Sequence, residues 1–119
     1  MADGRVGEEY TAQILAEEGF RITARNFHSR FGEIDIIAEN EKYIVFVEVK
    51  TRREGGLVPP LEAVTPAKQK KIILTAQVYL MEHPSDLQPR FDVCGIVRKR
   101  DGRLEADYLT DAFDGGECL

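Results

Sequence analysis

The sequence contains only two cysteines, and they lack the spacing of metal-binding or redox pairs. Cys94 lies in an apolar run, Cys118 lies near the carboxyl terminus, and no Cys-x-x-Cys pair occurs. A zinc site or a disulfide is therefore not expected. Cys94 is interpreted as a small buried hydrophobic residue.

Long apolar runs and an excess of positive charge are also missing. No hydrophobic stretch approaches the roughly eighteen residues of a transmembrane helix, and the start of the chain lacks the basic and apolar regions of a secretory signal. We therefore predict a cytoplasmic protein. The formal net charge of −5 argues against nucleic-acid binding through a broad basic surface. Such binding would require local basic patches, or metal ions that offset the acidic side chains.

The chain does have the length and hydrophobic content of one folded domain. It has 119 residues, of which 43% are hydrophobic and 31% are charged, as is usual for a soluble globular protein. The sequence shows no internal repeat and no low-complexity segment. We predict a single domain over residues 1–119, with residues 111–119 forming a flexible tail.

Hydrophobic periodicity and turn residues predict the element order α-β-β-β-α-β-β. Thr65 is the expected N-cap of the second helix, Pro66 is its expected first residue, and Pro84 follows its end. Asp101-Gly102 predicts a two-residue hairpin turn between the last two strands. The predicted helices cover residues 4–19 and 66–82, the strands cover 20–27, 32–39, 43–50, 90–99 and 104–110, and residues 51–65 form a loop.

The central hairpin carries charged residues inside runs that are otherwise apolar. Both faces of its second strand are apolar before Glu48 and Lys50, which predicts a strand covered on both sides near the middle of a sheet. Burying such charges costs several kcal/mol per ion unless they are paired, hydrated or bound to metal. Asp35, on the neighbouring strand, adds a third charge to this region.

These three residues predict metal-assisted chemistry at one end of the sheet. Two carboxylates that share a space repel each other, and Mg²⁺ or Mn²⁺ relieves the repulsion while it also binds water and substrate phosphate. The metal lowers the pKa of a bound water and neutralises charge on a phosphate oxygen. A neighbouring lysine positions the water or stabilises the developing charge. Asp35, Glu48 and Lys50 therefore indicate phosphodiester hydrolysis.

Other charged residues allow two interpretations. Glu8 and Glu9 fall in the first turns of the first helix, where the helix dipole alone explains acidic residues. Arg52 and Arg53 open a loop suited to a polyanion, or they are simply solvated. Three lysines crowd the start of the second helix, which favours an approaching anion but also fits a solvated face: Lys68, Lys70 and Lys71.

The order of these residues resembles a known signature. Asp35 followed by Glu48-Val49-Lys50 is similar to the (P)D...(D/E)-x-K pattern of the restriction-endonuclease-like superfamily, with Ile34 in place of the proline. The wider context resembles the YraN-type family of small bacterial proteins, itself similar to archaeal Holliday-junction resolvases. The likeness covers roughly residues 4–92 and is carried by Gly4-Arg5-Val6-Gly7-Glu8, Arg25-Asn26-Phe27, Gly32-Glu33-Ile34-Asp35-Ile36-Ile37, Val45-Phe46-Val47-Glu48-Val49-Lys50-Thr51-Arg52 and Lys68-Gln69.

The resemblance implies a fold and a role for each matching residue. The fold would be α/β, a restriction-endonuclease-like core with a mixed β-sheet flanked by helices. The activity would be a Mg²⁺- or Mn²⁺-dependent nuclease that hydrolyses DNA, with branched or damaged DNA as candidate substrates and a homodimer as a candidate assembly. The implied metal ligands are Asp35, Glu48 and the carbonyl of Val49; the implied catalytic residues are Glu8, Asp35, Glu48, Lys50 and Gln69; and the implied phosphate contacts are Arg25, Arg52 and Lys68.

A second function remains open from the residues alone. The same charges could form a structural ion-pair network in a catalytically silent module that binds nucleic acid or protein. A third interpretation, an exposed hairpin with unremarkable charges, is the least favoured because residues 43–49 are apolar on both faces.

Overall fold

The computed structural model describes residues 2–55 and 63–116, which form helices on both faces of a five-stranded sheet. The elements are α1 (Ala2–Glu17), β1 (Arg21–Ser29), β2 (Gly32–Glu39), β3 (Tyr43–Arg53), α2 (Pro66–Glu82), β4 (Gln88–Arg98) and β5 (Leu104–Phe113). The predicted element order is therefore confirmed. Neither α1 nor α2 combines the length and hydrophobicity that a membrane crossing requires.

The sheet is mixed, and β3 lies at its centre. Its strand order is β1-β2-β3-β4-β5, and neighbouring strands are antiparallel except for β3 and β4, which are parallel. A parallel pair requires a crossover connection, and α2 lies in the segment between these two strands. This mixed α/β architecture is compatible with a restriction-endonuclease-like core.

Two hydrophobic cores cover the two faces of the sheet. Alternate side chains of β3 point to opposite faces, so this strand contributes to both cores. The central strand is thus apolar on both sides, as predicted, and Cys94 is a buried free thiol. The core beneath α2 includes Ile34, Ile37, Ile44, Phe46, Ile72, Ala76, Tyr79, Phe91 and Val93. The core beneath α1 includes Ala12, Leu15, Ile36, Ala38, Val45, Val47, Cys94 and Ile96.

The start of α2 has the predicted cap. The Thr65 side chain accepts a hydrogen bond from the backbone N–H of Lys68 at 3.2 Å, and Pro66 occupies the first turn. The helix ends with His83 as its C-cap, immediately before Pro84. The cap fixes where α2 begins, and so where Lys68 and Gln69 stand relative to the sheet.

The ends of α1, β1 and β4 differ from the predicted ones by one or two residues, and the ends of β3 and β5 differ by three. Strand β3 continues to Arg53 instead of ending before Thr51, because its parallel pairing with β4 extends to Arg53 and Arg98. Strand β5 continues to Phe113, so residues 111–113 are not part of a flexible tail: Phe113 pairs with Phe91, and the two rings stack 5.1 Å apart. Residues 56–62 of the predicted loop and 117–119 of the predicted tail lie outside the described residues.

Candidate functional site

Strand β2 changes face at Asp35. Ile34 packs in the core beneath α2, whereas Ile36 packs in the core beneath α1, although alternate residues of a strand normally share a face. Asn26 of β1 falls between the residues paired with Ile34 and Ile36, and its φ of 51° is in the left-handed region that asparagine tolerates better than most residues. The side chains of the β1–β2 hairpin therefore change faces at this point, and Asp35 lies where the change occurs.

Asp35 binds the backbone of the central strand. The last pair in the register of β2 with β3 is Ile36 with Val47, and beyond it Asp35 Oδ2 accepts the N–H of Val49 at 2.8 Å. In an extended strand the N–H and C=O of one residue point toward the same neighbouring strand. The carbonyl of Val49 therefore faces the edge of β3 on which Asp35 lies.

The Asp35 carboxylate is surrounded by negative charge. Burial and the nearby carboxylate of Glu48 raise its pKa from 3.8 to about 7, and the hydrogen bond from Val49 only partly offsets them. Glu8 and Glu33 raise this pKa further. Carboxylates from α1, β2 and β3 are thus close enough to act on one another, as expected if Glu8, Asp35 and Glu48 share a site.

Glu48 is buried but is held by two cations. Only 5% of the residue is exposed, and its Oε2 lies 3.3 Å from Lys50 Nζ and 3.5 Å from Lys68 Nζ. The Lys50 and Lys68 side chains are 31% and 41% exposed, so the cluster is only partly open to solvent, through these two lysines.

Close packing of α1 against β3 brings Glu8 to the site. A Cβ on Gly7 would lie 2.2 Å from Thr51 Oγ1, far inside van der Waals contact, so glycine allows the helix to approach at this point. Thr11 Oγ1 donates a hydrogen bond to the Gly7 carbonyl at 2.8 Å. Glu8 follows Gly7 and is therefore next to the end of β3.

The remaining predicted residues are placed differently from one another. Gln69 Nε2 donates to the Val64 carbonyl at 3.1 Å, so its amide stabilises the start of α2 beside Lys68. Arg52 is half-buried near the end of β3. Arg25 pairs with Glu9 on α1 at 2.8 Å, which lowers the pKa of that glutamate. The structure therefore does not place Arg25 with the Glu48 cluster.

A buried carboxylate at Asp92 was not predicted from the sequence. It is fully buried, and it accepts two hydrogen bonds from Arg90, one from the Tyr108 hydroxyl and one from the Asp111 N–H. The signal was present, since Asp92 interrupts an apolar strand as Glu48 does. Because its oxygens are all satisfied within the fold, Asp92 stabilises the pairing of β4 with β5.

The oxygen atoms near Glu48 match the preferences of a hard cation. Among the described residues there is no group of three or more His, Cys, Asp or Glu side chains that could hold a metal ion. Mg²⁺, however, is commonly bound by one or two carboxylates together with waters and substrate phosphate. Asp35, Glu48 and the Val49 carbonyl supply such donors, and the raised pKa of Asp35 reflects repulsion that a cation would relieve.

The fold defines a class of protein: a mixed α/β domain with helices on both faces of its sheet, compatible with a restriction-endonuclease-like core. The end of its central strand carries Glu48 and Lys50, and Asp35 binds the backbone there. The profile described as "Uncharacterised protein family UPF0102" matches residues 7–96, and the chain belongs to this family.

Bacterial relatives match nearly the full chain. A UPF0102 protein of Prosthecochloris aestuarii is 47% identical over 92% of this chain and 91% of its own length. A UPF0102 protein of Syntrophotalea carbinolica is 46% identical over 93% of this chain and 90% of its own length. A UPF0102 protein of Rhodococcus opacus is 42% identical over 95% of this chain and 97% of its own length. These names describe a family without assigning it a reaction.

Proposed function

We propose that this UPF0102 protein is a Mg²⁺- or Mn²⁺-dependent nuclease that hydrolyses DNA phosphodiester bonds, with branched or damaged DNA as candidate substrates. The observation that carries the proposal is the meeting of Asp35, Glu48 and Lys50 at one end of the central strand. Carboxylates that repel one another beside a partly exposed lysine are suited to a divalent cation and a phosphate.

Each residue of the site has a distinct role in this proposal. Asp35, Glu48 and the Val49 carbonyl would hold the cation, which when bound supplies an acidified water and neutralises charge on the phosphate. The Lys50 ammonium, 3.3 Å from Glu48, would orient the attacking water or stabilise the developing negative charge. Glu8 adds negative charge that favours the cation.

Lys68 and Arg52 are the proposed phosphate contacts nearest to this cluster. Lys68 Nζ is 3.5 Å from Glu48 and partly exposed, so it can exchange this contact for a phosphate oxygen when substrate is present. Arg52 lies two residues beyond Lys50 on the same face of β3. Gln69 would hold Lys68 in position through its bond to Val64. A contact from Arg25 would require its pair with Glu9 to open.

A second candidate function is a catalytically silent module that binds nucleic acid or protein. The observation that favours it is the double pairing of Glu48 with Lys50 and Lys68. A buried carboxylate balanced by two ammonium groups can persist in a fold for structural reasons alone. The two functions differ in whether the chain cuts DNA.

A nuclease assay with matched variants tests the proposal. Purified protein is incubated with linear, single-stranded and four-way-junction DNA in Mn²⁺ or Mg²⁺, and cleavage rates are measured on gels. We expect cleavage by the parent, with losses of about 10²-fold or more for Glu48→Gln and Lys50→Gln, as is typical when a group acting on transition-state charge is removed. Glu41→Gln and Lys42→Gln, at exposed positions of the β2–β3 turn, should cut like the parent.

The assay also separates the two candidate functions. Absence of cleavage on every substrate, or equal cleavage by the parent and the two site variants, would reject hydrolysis at this site. Binding of DNA without any cleavage would favour the silent module.

A further inference from the structure

The ends of β3 and β4 form a groove lined mainly by cations. A cavity of about 500 Å³ is lined by Arg53, Glu54, Gly55, Arg98, Lys99 and Arg100. A smaller cavity of about 200 Å³ shares Arg53 and Arg98 with it and extends to Thr51 and Arg52. We call these two cavities together the basic groove. The larger one is lined by four cationic residues and one carboxylate, in a chain whose formal net charge is −5.

The parallel register of β3 and β4 creates this concentration of charge. Both strands end at the same edge of the sheet, and Arg53 pairs directly with Arg98. Neighbouring strands lie about 4.8 Å apart, so cationic side chains from both strands line the same cavity.

The groove is held by backbone hydrogen bonds. The Glu54 N–H donates to the Arg98 carbonyl at 2.8 Å, and Glu54 Oε1 accepts the Arg100 N–H at 2.9 Å. The other carboxylate oxygen of Glu54 lies 3.4 Å from Lys99 Nζ, and that ammonium also contacts Glu105 at 3.2 Å. The groove's carboxylate therefore fixes the loop and Lys99, while Arg53 and Arg100 remain exposed.

The basic groove lies at the end of β3, beyond the candidate site, and reaches both faces of the strand, since Arg52 and Arg53 point to opposite faces. Glu48, Lys50 and Arg52 share one face of this strand, and each step of two residues advances about 6.7 Å. Arg52 therefore lies about 13 Å from Glu48 along the strand, at the entrance to the groove. A ligand that reaches both places must be an extended polyanion with repeated phosphates.

We propose that the basic groove binds the sugar-phosphate backbone of DNA next to the phosphate held at Glu48 and Lys50, an inference that rests on the proposed function for the position of that phosphate. Arg53 and Arg100 contact phosphate oxygens, for which a guanidinium offers paired donors. Such contacts position the DNA without reading its sequence. The groove is thus a positioning surface separate from the hydrolytic cluster.

DNA-binding measurements without divalent metal test the groove independently of cleavage. Fluorescence anisotropy with labelled duplex and four-way-junction DNA in EDTA is recorded over a range of salt concentrations. For the double variant Arg53→Gln and Arg100→Gln we expect at least tenfold weaker binding. The slope of log affinity against log salt should fall by about one for each phosphate contact removed.

A control with the same loss of charge is available elsewhere on the surface. Arg21 and Arg103 have side chains 75% and 70% exposed and lie outside the groove. The double variant Arg21→Gln and Arg103→Gln should bind DNA with an affinity within about twofold of the parent's. Only the net charge changes in this variant, and salt screens its effect on distant DNA phosphates. Thermal unfolding of both double variants checks that each is folded.

The outcomes separate this inference from the proposed function. Equal losses of DNA affinity in both double variants, or no loss in the groove variant, would overturn the proposal that the groove binds DNA. If the parent cuts DNA while the groove variant binds as tightly as the parent, the groove is rejected and hydrolysis stands. If the groove variant alone loses binding and no form of the protein cuts, the groove stands and hydrolysis is rejected. Failure of the parent to bind either DNA rejects the groove.

Discussion

At the scale of single residues, Asp35 is the residue of the site whose ionised form is disfavoured by its surroundings. Its pKa is raised from 3.8 to about 7, first by burial and then by Glu48. Between these two values the folded protein holds a proton that the unfolded chain releases. Folding stability therefore falls as pH rises through this window, and the loss is complete above about pH 7.

Replacing Asp35 with asparagine should remove this pH dependence. The amide oxygen can still accept the Val49 N–H, but the side chain cannot ionise. In EDTA, Asp35→Asn should gain stability over the parent progressively from pH 4 to pH 7.5 and then level off. The gain has an upper bound of about 4 kcal/mol, since each pKa unit corresponds to about 1.4 kcal/mol. Thermal unfolding at each pH measures it.

The matched control for this prediction is an exposed aspartate. Asp86→Asn, in the loop before β4, should shift the melting temperature by the same small amount at every pH. A difference between Asp35→Asn and the parent that is constant with pH, or that grows as pH falls, would contradict the prediction.

The sequence could reveal the charged residues of the site but not all their contacts. Asp35, Glu48 and Lys50 stand out because each interrupts an apolar run. The ion pair of Lys68 with Glu48 could not be predicted, because it depends on how α2 lies over the sheet. Likewise, the pairing of Arg25 with Glu9 depends on the packing of α1.

At the scale of elements, local sequence signals predicted the helices and strands better than their ends. The capped start of α2 and the presence of a turn at Asp101-Gly102 depend on neighbouring residues, and both were predictable. The turn's length was not, because Lys99 bonds to Arg103 and encloses three residues instead of two. The extra length of β3 and β5 depends on pairing with β4, which is distant in sequence. The face change at Asn26 and Asp35 was missed, although the odd spacing of Ala24 and Phe27 was a signal of it.

The packing of α1 on β3 gives a prediction about Gly7. In an open helix, glycine to alanine stabilises by about 1 kcal/mol. Here the new Cβ would meet Thr51 Oγ1 at 2.2 Å, so Gly7→Ala should instead destabilise by about 1–3 kcal/mol, as overpacking does. Displacement of Glu8 should also lower DNA cleavage. Denaturant unfolding and the cleavage assay measure the two effects.

A double-mutant cycle provides the control for Gly7. Thr51→Ala removes the clashing oxygen, so Gly7→Ala should cost less in that background than in the parent. Equal costs in both backgrounds, or a net stabilisation by Gly7→Ala alone, would show that contact with Thr51 does not limit the approach of α1.

At the scale of the whole molecule, the half-buried Asp35 and the buried Asp92 have opposite surroundings. The Asp92 carboxylate accepts hydrogen bonds from Arg90, the Tyr108 hydroxyl and the Asp111 N–H. The Asp35 carboxylate accepts one backbone hydrogen bond, and its pKa is raised by burial and by three glutamates. A satisfied buried charge is explained by folding alone. A buried charge under repulsion costs stability, and such residues occur preferentially at functional sites. This contrast is the reason for proposing a functional role for Asp35 and a structural role for Asp92.

Thermal stability in the presence of a divalent cation tests this contrast for the whole fold without measuring turnover. A ligand that binds only the folded chain raises its stability by about 2.7 kcal/mol at one hundred times its dissociation constant. Mn²⁺ should therefore raise the melting temperature of the parent, with a much smaller rise for Asp35→Asn and Glu48→Gln and an unchanged rise for Asp86→Asn.

A structural ion-pair network predicts instead no effect of Mn²⁺, together with a marked loss of stability in Lys50→Gln, because Glu48 would lose one of its two cations. An equal Mn²⁺ shift in the parent and Glu48→Gln would mean that the cation binds elsewhere, since a cation held by Glu48 must lose affinity when that carboxylate is neutralised.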